Sequence, residues 1–407
     1  MKNRILIALT TGRPIFEDTL DMLAGNLYGF GHFDQNHIGV LINYDPLLLN
    51  IQPEKFLYDG KHASRFREIL YLGPKDVKFY QTQMKALGLA ENEIEMLCQV
   101  SGFGNKKNLI LLCALLKDYD FVLFWDDDEY PVVCLQGASE ILWSRTDVLG
   151  AHLSELLTGA DVTCGFWTGH VFPTVPGIYK ILSAHTAARL GEALSLGTET
   201  HSKQSFTLPE RSFKVGDGIP KAEEMRIVRG GKWVSGGNLA VRAQSVLSGA
   251  VPPYYTPSES RGDDTIFSFH LSDAKVMAVP GGAFHDMYLD YPSITKGKYP
   301  LNPGFIPSHT EKYEARFASA LKAWLAYAPL FIRLSEGTTR YRETLKEMLL
   351  MLTEVDGTLF EEFPALGALL RGRKLAGILN GYACGVEEQY RELQFCHDVW
   401  RQLCRKI

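Results

Sequence analysis

The chain has 407 residues, of which 46% are hydrophobic and 22% charged, values that exclude a disordered chain and a coiled coil. With 42 basic and 47 acidic residues the net charge is −5, so there is no broad cationic footprint for nucleic acid. No apolar stretch reaches the ~18 residues that a bilayer span needs, and at ~150 residues per domain the length suits two to three domains or one large α/β domain with an appendage. Residues 4–9 form a short apolar run that ends in the turn cluster Thr10-Thr11-Gly12-Arg13-Pro14. No small-residue cleavage site follows, so the run reads as a first strand and not a secretory signal. Phe16, Leu20, Leu23 and Leu27 then recur at helical spacing. Residues 37–43 predict a second strand, closed by Tyr44-Asp45-Pro46, and residues 77–80 a shorter third. A helix over 105–116 leads to a fourth strand, FVLFW, over 121–125.

Buried strands separated by helices imply crossover units and a largely parallel sheet, whose ligands gather at the carboxyl ends of the strands. Residues 161–166 and 275–280 predict further strands. Between them, a polar, glycine-bearing segment over about 196–232 is too long for a plain connection and reads as a functional loop. From about 308 to the end the pattern is helical, which divides the chain into a domain over 1–307 and a helical region over 308–407. Leu393, Cys396, Trp400, Leu403 and Ile407 make a stripe with Arg401, Arg405 and Lys406 between them; it suits a packed helix or a peripheral membrane contact. The seven cysteines are odd in number, lie mostly in apolar runs and form no CxxC. That pattern argues against a disulfide framework and for a reducing, cytoplasmic compartment.

Asp126-Asp127-Asp128-Glu129 directly follows the fourth strand. Adjacent carboxylates repel unless something neutralises them, and hard oxygen ligands suit Mg²⁺ or Mn²⁺. Alternate residues of an extended segment point the same way, so Asp126 and Asp128 can share a site, although a 127/128 pair is also open. The other reading is a solvated acidic turn. Asp263-Asp264, after Gly262 and before an apolar helical pattern, fits either a helix-start acid or a general base with a partner that holds the acceptor. His285, in Gly281-Gly282-Ala283-Phe284-His285-Asp286 at a strand exit, can complete a metal site as neutral imidazole. Gly236-Gly237 in SGGNLAVR permits close backbone approach to a ligand or a tight bend. Tyr254, Tyr255 and Trp167 suit either the core or stacking on a sugar ring.

In this order, FVLFW with its DxD-type acids, SGGNLAVR, GDDTIFSF and the histidine of AFHD resemble the GT-A class of nucleotide-sugar glycosyltransferases over roughly residues 1–290. GNKKNLIL (residues 104–111) is similar to the family's helix before the DxD strand. The plan of a GT-A domain with a helical tail also looks like mannosylglycerate synthase and its relatives. The resemblance implies an α/β fold with a mixed, Rossmann-like sheet flanked by helices, plus the helical C-terminal region. It implies a hexosyl transfer from a UDP- or GDP-linked donor to a glycan or small-molecule acceptor. Thr11, Arg13, Asp45, Lys107, Asn108, Asp127 and Gly237 would lie near the nucleotide. Asp126, Asp128 and His285 would hold Mn²⁺ or Mg²⁺, and Asp264 with Asp263 would carry the chemistry, Asp264 as the base of an inverting transfer. A retaining route is also compatible with an acid at this helix start. The family's Glu-Asp is here Asp-Asp, and the segment 196–232 would be an acceptor-binding insertion by analogy. The competing readings are a nucleotidylyltransferase, which lacks its glycine-rich lysine loop here, a metal-dependent phosphohydrolase, and a non-catalytic sugar-binding relative.

Overall fold

The computed structural model describes residues 2–46, 49–98, 102–170, 173–175, 177–208, 213–257, 260–304 and 311–407, with only the backbone of Phe103. The strands are β1 (Arg4–Thr11), β2 (His37–Tyr44), β3 (Ile69–Leu72), β4 (Phe121–Asp126), β5 (Glu129–Tyr130), β6 (Val133–Gln136), β7 (Ile141–Ser144), β8 (Val162–Gly169), β9 (Glu223–Glu224), β10 (Leu239–Arg242) and β11 (Val276–His285). The helices used below are α1 (Phe16–Gly29), α2 (Pro74–Ala86), α3 (Glu91–Leu97), α4 (Phe103–Leu116), α5 (Val148–Leu156), α6 (Ala184–Gly197), α7 (Asp263–Phe269), α8 (Glu311–Glu362), α9 (Leu375–Ala383) and α10 (Val386–Cys404).

One sheet runs β3-β2-β1-β4-β10-β8-β11-β5, with β9 on β11, and β6 pairs with β7 separately. It is mixed: β1 is parallel to β2 and β4, whereas β10 runs antiparallel to β4 and β8. The expected architecture, a mixed sheet flanked by helices with a helical C-terminal region, is the one observed. Ile5 to Leu9 are all buried because β1 is central and covered on both faces, so its sequence shows no alternation.

The expected third strand is displaced. Residues 77–80 belong to α2, and β3 is Ile69–Leu72. Helix-start chemistry overrides the β-branched and aromatic residues there. Gly73 is the N-cap, Pro74 follows it, and Asp76 accepts the Gly73 N–H at 2.8 Å.

Strand register sets the site. Thr10 stands opposite Asp126, and Thr11 opposite Tyr44, so the turns after β1, β2 and β4 leave one edge of the sheet together. Leu239 pairs with Phe124, which carries the two preceding glycines to the acidic end of β4. His285 pairs with Glu129, which brings the end of β11 to the same place.

The C-terminal region packs onto this layer. α8 is two helices meeting at Gly337, whose φ of 67° and ψ of −178° only glycine adopts readily. It lies against α6 and α9, and one continuous core includes Leu6 of β1 and Leu325 of α8. The boundary expected at 307/308 falls in residues 305–310, outside the described residues. Most of the stripe on α10 turns inward: Leu393, Cys396, Trp400 and Leu403 are buried, with α10 packed on α3, whereas Ile407, past the helix end, is exposed. Among the described residues no helix is long and apolar enough to cross a membrane. All seven cysteines are free thiols. Segment 196–232 begins within α6 and is otherwise mostly irregular; its residues 209–212 lie outside the described residues.

A buried polar chain locks the loop before β10. His152 of α5 contacts Thr163 at 2.7 Å and the Asn238 side chain at 3.0 Å, and Asn238, at φ 42°, donates to the Gly281 carbonyl at 3.0 Å. Burial pushes the His152 imidazole down to about 4. An unfolded histidine takes up a proton near pH 6.5, while the folded one resists until about 4. Stability is therefore complete above pH 6.5 and falls as the pH drops toward 4, by on the order of 3 kcal/mol from this residue. His270, His201 and His397 are depressed by burial in the same way. Unfolding by denaturant at pH 7 and pH 4.5 should show this contribution as a loss that is smaller in His152→Gln by about 2–3 kcal/mol, the other three histidines keeping theirs; a pH dependence unchanged in His152→Gln contradicts the assignment.

Candidate active site

A cleft of about 550 Å³ opens at the carboxyl edge of β1, β2 and β4. Its lining includes the turn Thr10–Arg13, Asp45, Lys106 and Lys107, the acids 126–128, Gly236, Asp263, Asp264 and His285. The strand-end turns and the α7 start that looked like chemistry in the sequence thus converge on one space.

The acidic end of β4 is the electrostatic centre. Asp127 accepts hydrogen bonds from Thr11 Oγ1 at 2.6 Å and Arg13 Nε at 3.0 Å, and Arg13 also forks onto Asp128 at 2.9 Å. Burial opposes the charge of Arg13, yet the two aspartates hold it well above its usual range. Asp128 Oδ1 stands 3.4 Å from His285 Nε2. Burial would raise Asp128, but His285 and Arg13 hold it far below the usual carboxylate range. Burial would likewise depress His285, but the Asp128 charge lifts it to about 9.

In the other two acids of the cluster such help is outweighed. Burial and then the Asp128 charge raise Asp126 to about 7, and burial and then the Asp126 charge raise Glu129 to about 8. Glu129 Oε1 accepts the Trp167 indole N–H at 2.6 Å, so Trp167 serves the acids and not a sugar face. More carboxylate is gathered here than the protein's own cations neutralise, which is the condition a divalent cation relieves.

The oxygen-plus-imidazole set of Asp126, Asp128 and His285 fits Mn²⁺ or Mg²⁺ in donor type. The 3.4 Å between Asp128 and His285 is close to the ~3 Å edge between neighbouring ligands of an octahedral ion with ~2.1 Å bonds. Among the described residues no three His, Cys, Asp or Glu side chains stand assembled as a ready cage, and Arg13 pairs with Asp128.

The start of α7 lines the same cleft. Lys107 Nζ bonds Asp263 at 3.0 Å and also pairs with Asp264. Asp263 is buried, with 5% of its side chain exposed, whereas Asp264 is 32% exposed and reachable from the cleft. Burial pushes Asp263 up to about 6, against the pull of Lys107. Lys106 ends the first turn of α4 and Lys107 opens the second, near the end of the helix dipole that cations oppose. Asp45, 2.8 Å from Lys106, and the α7 acids compensate them.

Two expected nucleotide contacts are placed differently. Asn108 is fully buried and spends its amide on Tyr254, accepting from its N–H at 2.7 Å and donating to its carbonyl at 2.9 Å, so it does not line the cleft. Gly237 does not line it either. A Cβ there would meet Asp126 Oδ2 at 2.7 Å and run into Glu129 Oε1, so this glycine exists to let the acids approach the backbone. Tyr254 stacks on Phe267 at 4.1 Å with Lys107 over its ring, as a core residue. None of the described residues of 196–232 lines the cleft, although Glu199 supports α7 by accepting from Thr265 at 2.8 Å.

Lys106, Glu129, Arg261 and Arg316 were not singled out from sequence. Lys106 and Arg261 neighbour motif residues and Glu129 ends the acidic run, whereas Arg316 carries no local signal. Gly237→Ala should cost about 1–3 kcal/mol in urea unfolding, as overpacking against two carboxylates; wild-type stability would contradict this packing.

No family model and no curated protein matches the chain. Among solved structures it is similar to glucosyl-3-phosphoglycerate synthase from Mycobacterium tuberculosis, in complex with Mn²⁺, UDP and glucosyl-3-phosphoglycerate (12% identity, 80% of each chain, TM-score 0.34). It is also similar to S. aureus TarS 1-349 (14% identity, 96% of this chain and 92% of that one, TM-score 0.33). A third likeness is to the mannosyltransferase PcManGT from Pyrobaculum calidifontis, in complex with GDP-Man and Mn²⁺ (12% identity, 100% of this chain and 87% of that one, TM-score 0.36). At these identities and scores the likeness bears on neither donor nor acceptor.

Proposed function

We propose that the protein is a metal-dependent glycosyltransferase that moves a sugar from a UDP- or GDP-linked donor to an acceptor hydroxyl, with inversion at the anomeric carbon. The observation that supports this reading is that Asp126, Asp128, His285 and Asp264 all line a single cleft. A nucleoside diphosphate suits this cleft. The α4 N-terminus with Lys106 and Lys107 favours phosphate, and Thr11, Arg13 and Asp45 border the space beside it.

Asp126, Asp128 and His285 would hold Mn²⁺ or Mg²⁺. The bound ion would neutralise charge that builds on the leaving diphosphate. Arg13 bridges Asp127 and Asp128 from the turn after β1 and holds the acid run in place. Asp264 accepts the proton of the acceptor hydroxyl as that oxygen bonds the anomeric carbon. The bond from that carbon to the diphosphate oxygen breaks, and its electron pair leaves with the diphosphate. Lys107 fixes the rotamer of Asp264, and buried Asp263 anchors Lys107. The phosphohydrolase alternative would release inorganic phosphate and not a nucleoside diphosphate.

Release of UDP or GDP from the matching sugar nucleotides, followed with Mn²⁺ present, tests the reading. Asp264→Asn should slow turnover by about 10²–10⁴-fold while nucleotide affinity is kept; turnover within a few-fold of wild type removes Asp264 as the base. Chelation should bring release to background and Mn²⁺ should restore it. Metal-independent release would refute the metal's role.

A further inference from the structure

At the edge of the sheet opposite the acids, a second cavity of about 570 Å³ opens where β1 and β4 begin and β10 ends. The eight residues of β1, at ~3.3 Å each, put about 20 Å between it and the cleft, and the two share no lining residue. Leu115 of α4, Phe121 of β4 and Leu247 supply apolar lining. Lys2, Arg4 and Arg242 bring positive charge to it, against Asp118 and Asp120.

These charged groups differ in what already engages them. Arg4 lies 5.5 Å from the Tyr119 ring and donates to the Lys117 carbonyl at 2.8 Å, while its backbone N–H bonds the Asp120 carboxylate at 2.8 Å. Asp118, at φ 54° in the turn after α4, is offset in formal charge by the exposed Lys2. Arg242 is left over. Its Nε donates to the Ala160 carbonyl at 3.1 Å, which tethers the guanidinium, yet Arg242 forms no ion pair with a carboxylate among the described residues. Its Nη2 is sealed from solvent without a hydrogen-bond partner there. The nearest acid along the backbone, Asp161, is spent on the Ser245 hydroxyl at 2.5 Å and the Lys275 N–H at 2.7 Å.

A tethered, unneutralised guanidinium at an otherwise apolar cavity is under-satisfied until an anion arrives, and its planar fork matches the oxygens of a carboxylate or phosphate. Small-molecule sites of this volume combine apolar walls with a few fixed polar groups in the same way. We propose that this cavity binds a small organic anion, a carboxylate or phosphate monoester with a ring-sized apolar body, whose charged group pairs with Arg242. Neither the metal nor the acids of the cleft enter into this site.

Calorimetric titration of the full chain with phenyl phosphate, benzoate, inorganic phosphate and benzyl alcohol tests it. At least one aromatic anion should bind, inorganic phosphate should bind more weakly for want of an apolar body, and benzyl alcohol should not bind. The tighter of benzoate and phenyl phosphate separates carboxylate from phosphate. Arg242→Gln should weaken that anion by about ten-fold or more. Arg242 also holds the Ala160 carbonyl, so a second variant guards against a folding defect: Gln244→Glu, at an exposed lining position, adds a like charge and should weaken the anion by about three-fold or more. Lys106→Gln, which alters the cleft, should leave the affinity unchanged. Absence of binding by both aromatic anions, equal binding of benzyl alcohol, or affinity kept in both Arg242→Gln and Gln244→Glu overturns the proposal. Affinity lost in Lys106→Gln assigns the anion to the cleft and overturns it as well.

Discussion

Four consecutive carboxyl side chains at the end of one buried strand must be kept from repelling each other, and much of the surrounding structure is arranged to do so. Each acid of 126–129 has a different answer. Asp127 is held by Thr11 and Arg13, Asp128 by Arg13 and His285, Glu129 by the Trp167 indole, and Asp126 by proximity to Lys107 and His285 and by a readiness to keep its proton. These partners come from the β1 turn, β11, β8 and α4, so the repulsion is solved only when the sheet is assembled. A cluster that needs this much support is costly as a mere strand terminator, and its cost makes sense if a divalent cation and a polyanion share it.

The same constraint explains details that would otherwise look unrelated. Gly237 is needed because the acids lean against its backbone, and Gly236 because a Cβ would strike Lys107 and the Asp264 carboxylate. The α7 acids lie on the far side of Lys107, which faces both acidic clusters and keeps them from acting as one mass of negative charge. Glu199, two residues past the end of α6, accepts from Thr265 of α7 and, at 3.2 Å, from Tyr327 in α8, and so ties α7 to the helical region. The helical region is thus a brace for the helix that carries Asp263 and Asp264.

Residues that mark strand ends and helix starts were legible in the sequence, because burial of a parallel strand and the chemistry of a helix N-terminus leave local signatures. That is why the acids 126–128, Asp263, Asp264 and His285 could be named as candidates before any fold existed. The side chain of Asn108 was not legible, since one turn of helix decides whether a residue faces the cleft or the core, and Lys106 faces it instead. The third strand was misplaced because β3 is half-buried and unremarkable in sequence, whereas α2 contains the β-forming residues Val77, Phe79 and Tyr80. Arg316 illustrates the remaining gap: it reaches the cleft from a helix that begins far beyond the β4 acids in the chain, and one sequence offers no sign of that approach.

The central claim is that the β4 acids are a metal-dependent diphosphate site. Calorimetric titration of UDP and GDP into the wild type and Asp128→Asn, each with Mn²⁺ and with chelator, addresses it most directly. The account expects one nucleotide to bind the wild type with Mn²⁺ and to lose its affinity both with chelator and in Asp128→Asn. Binding that is indifferent to metal and to Asp128, or no binding of either nucleotide, would contradict it.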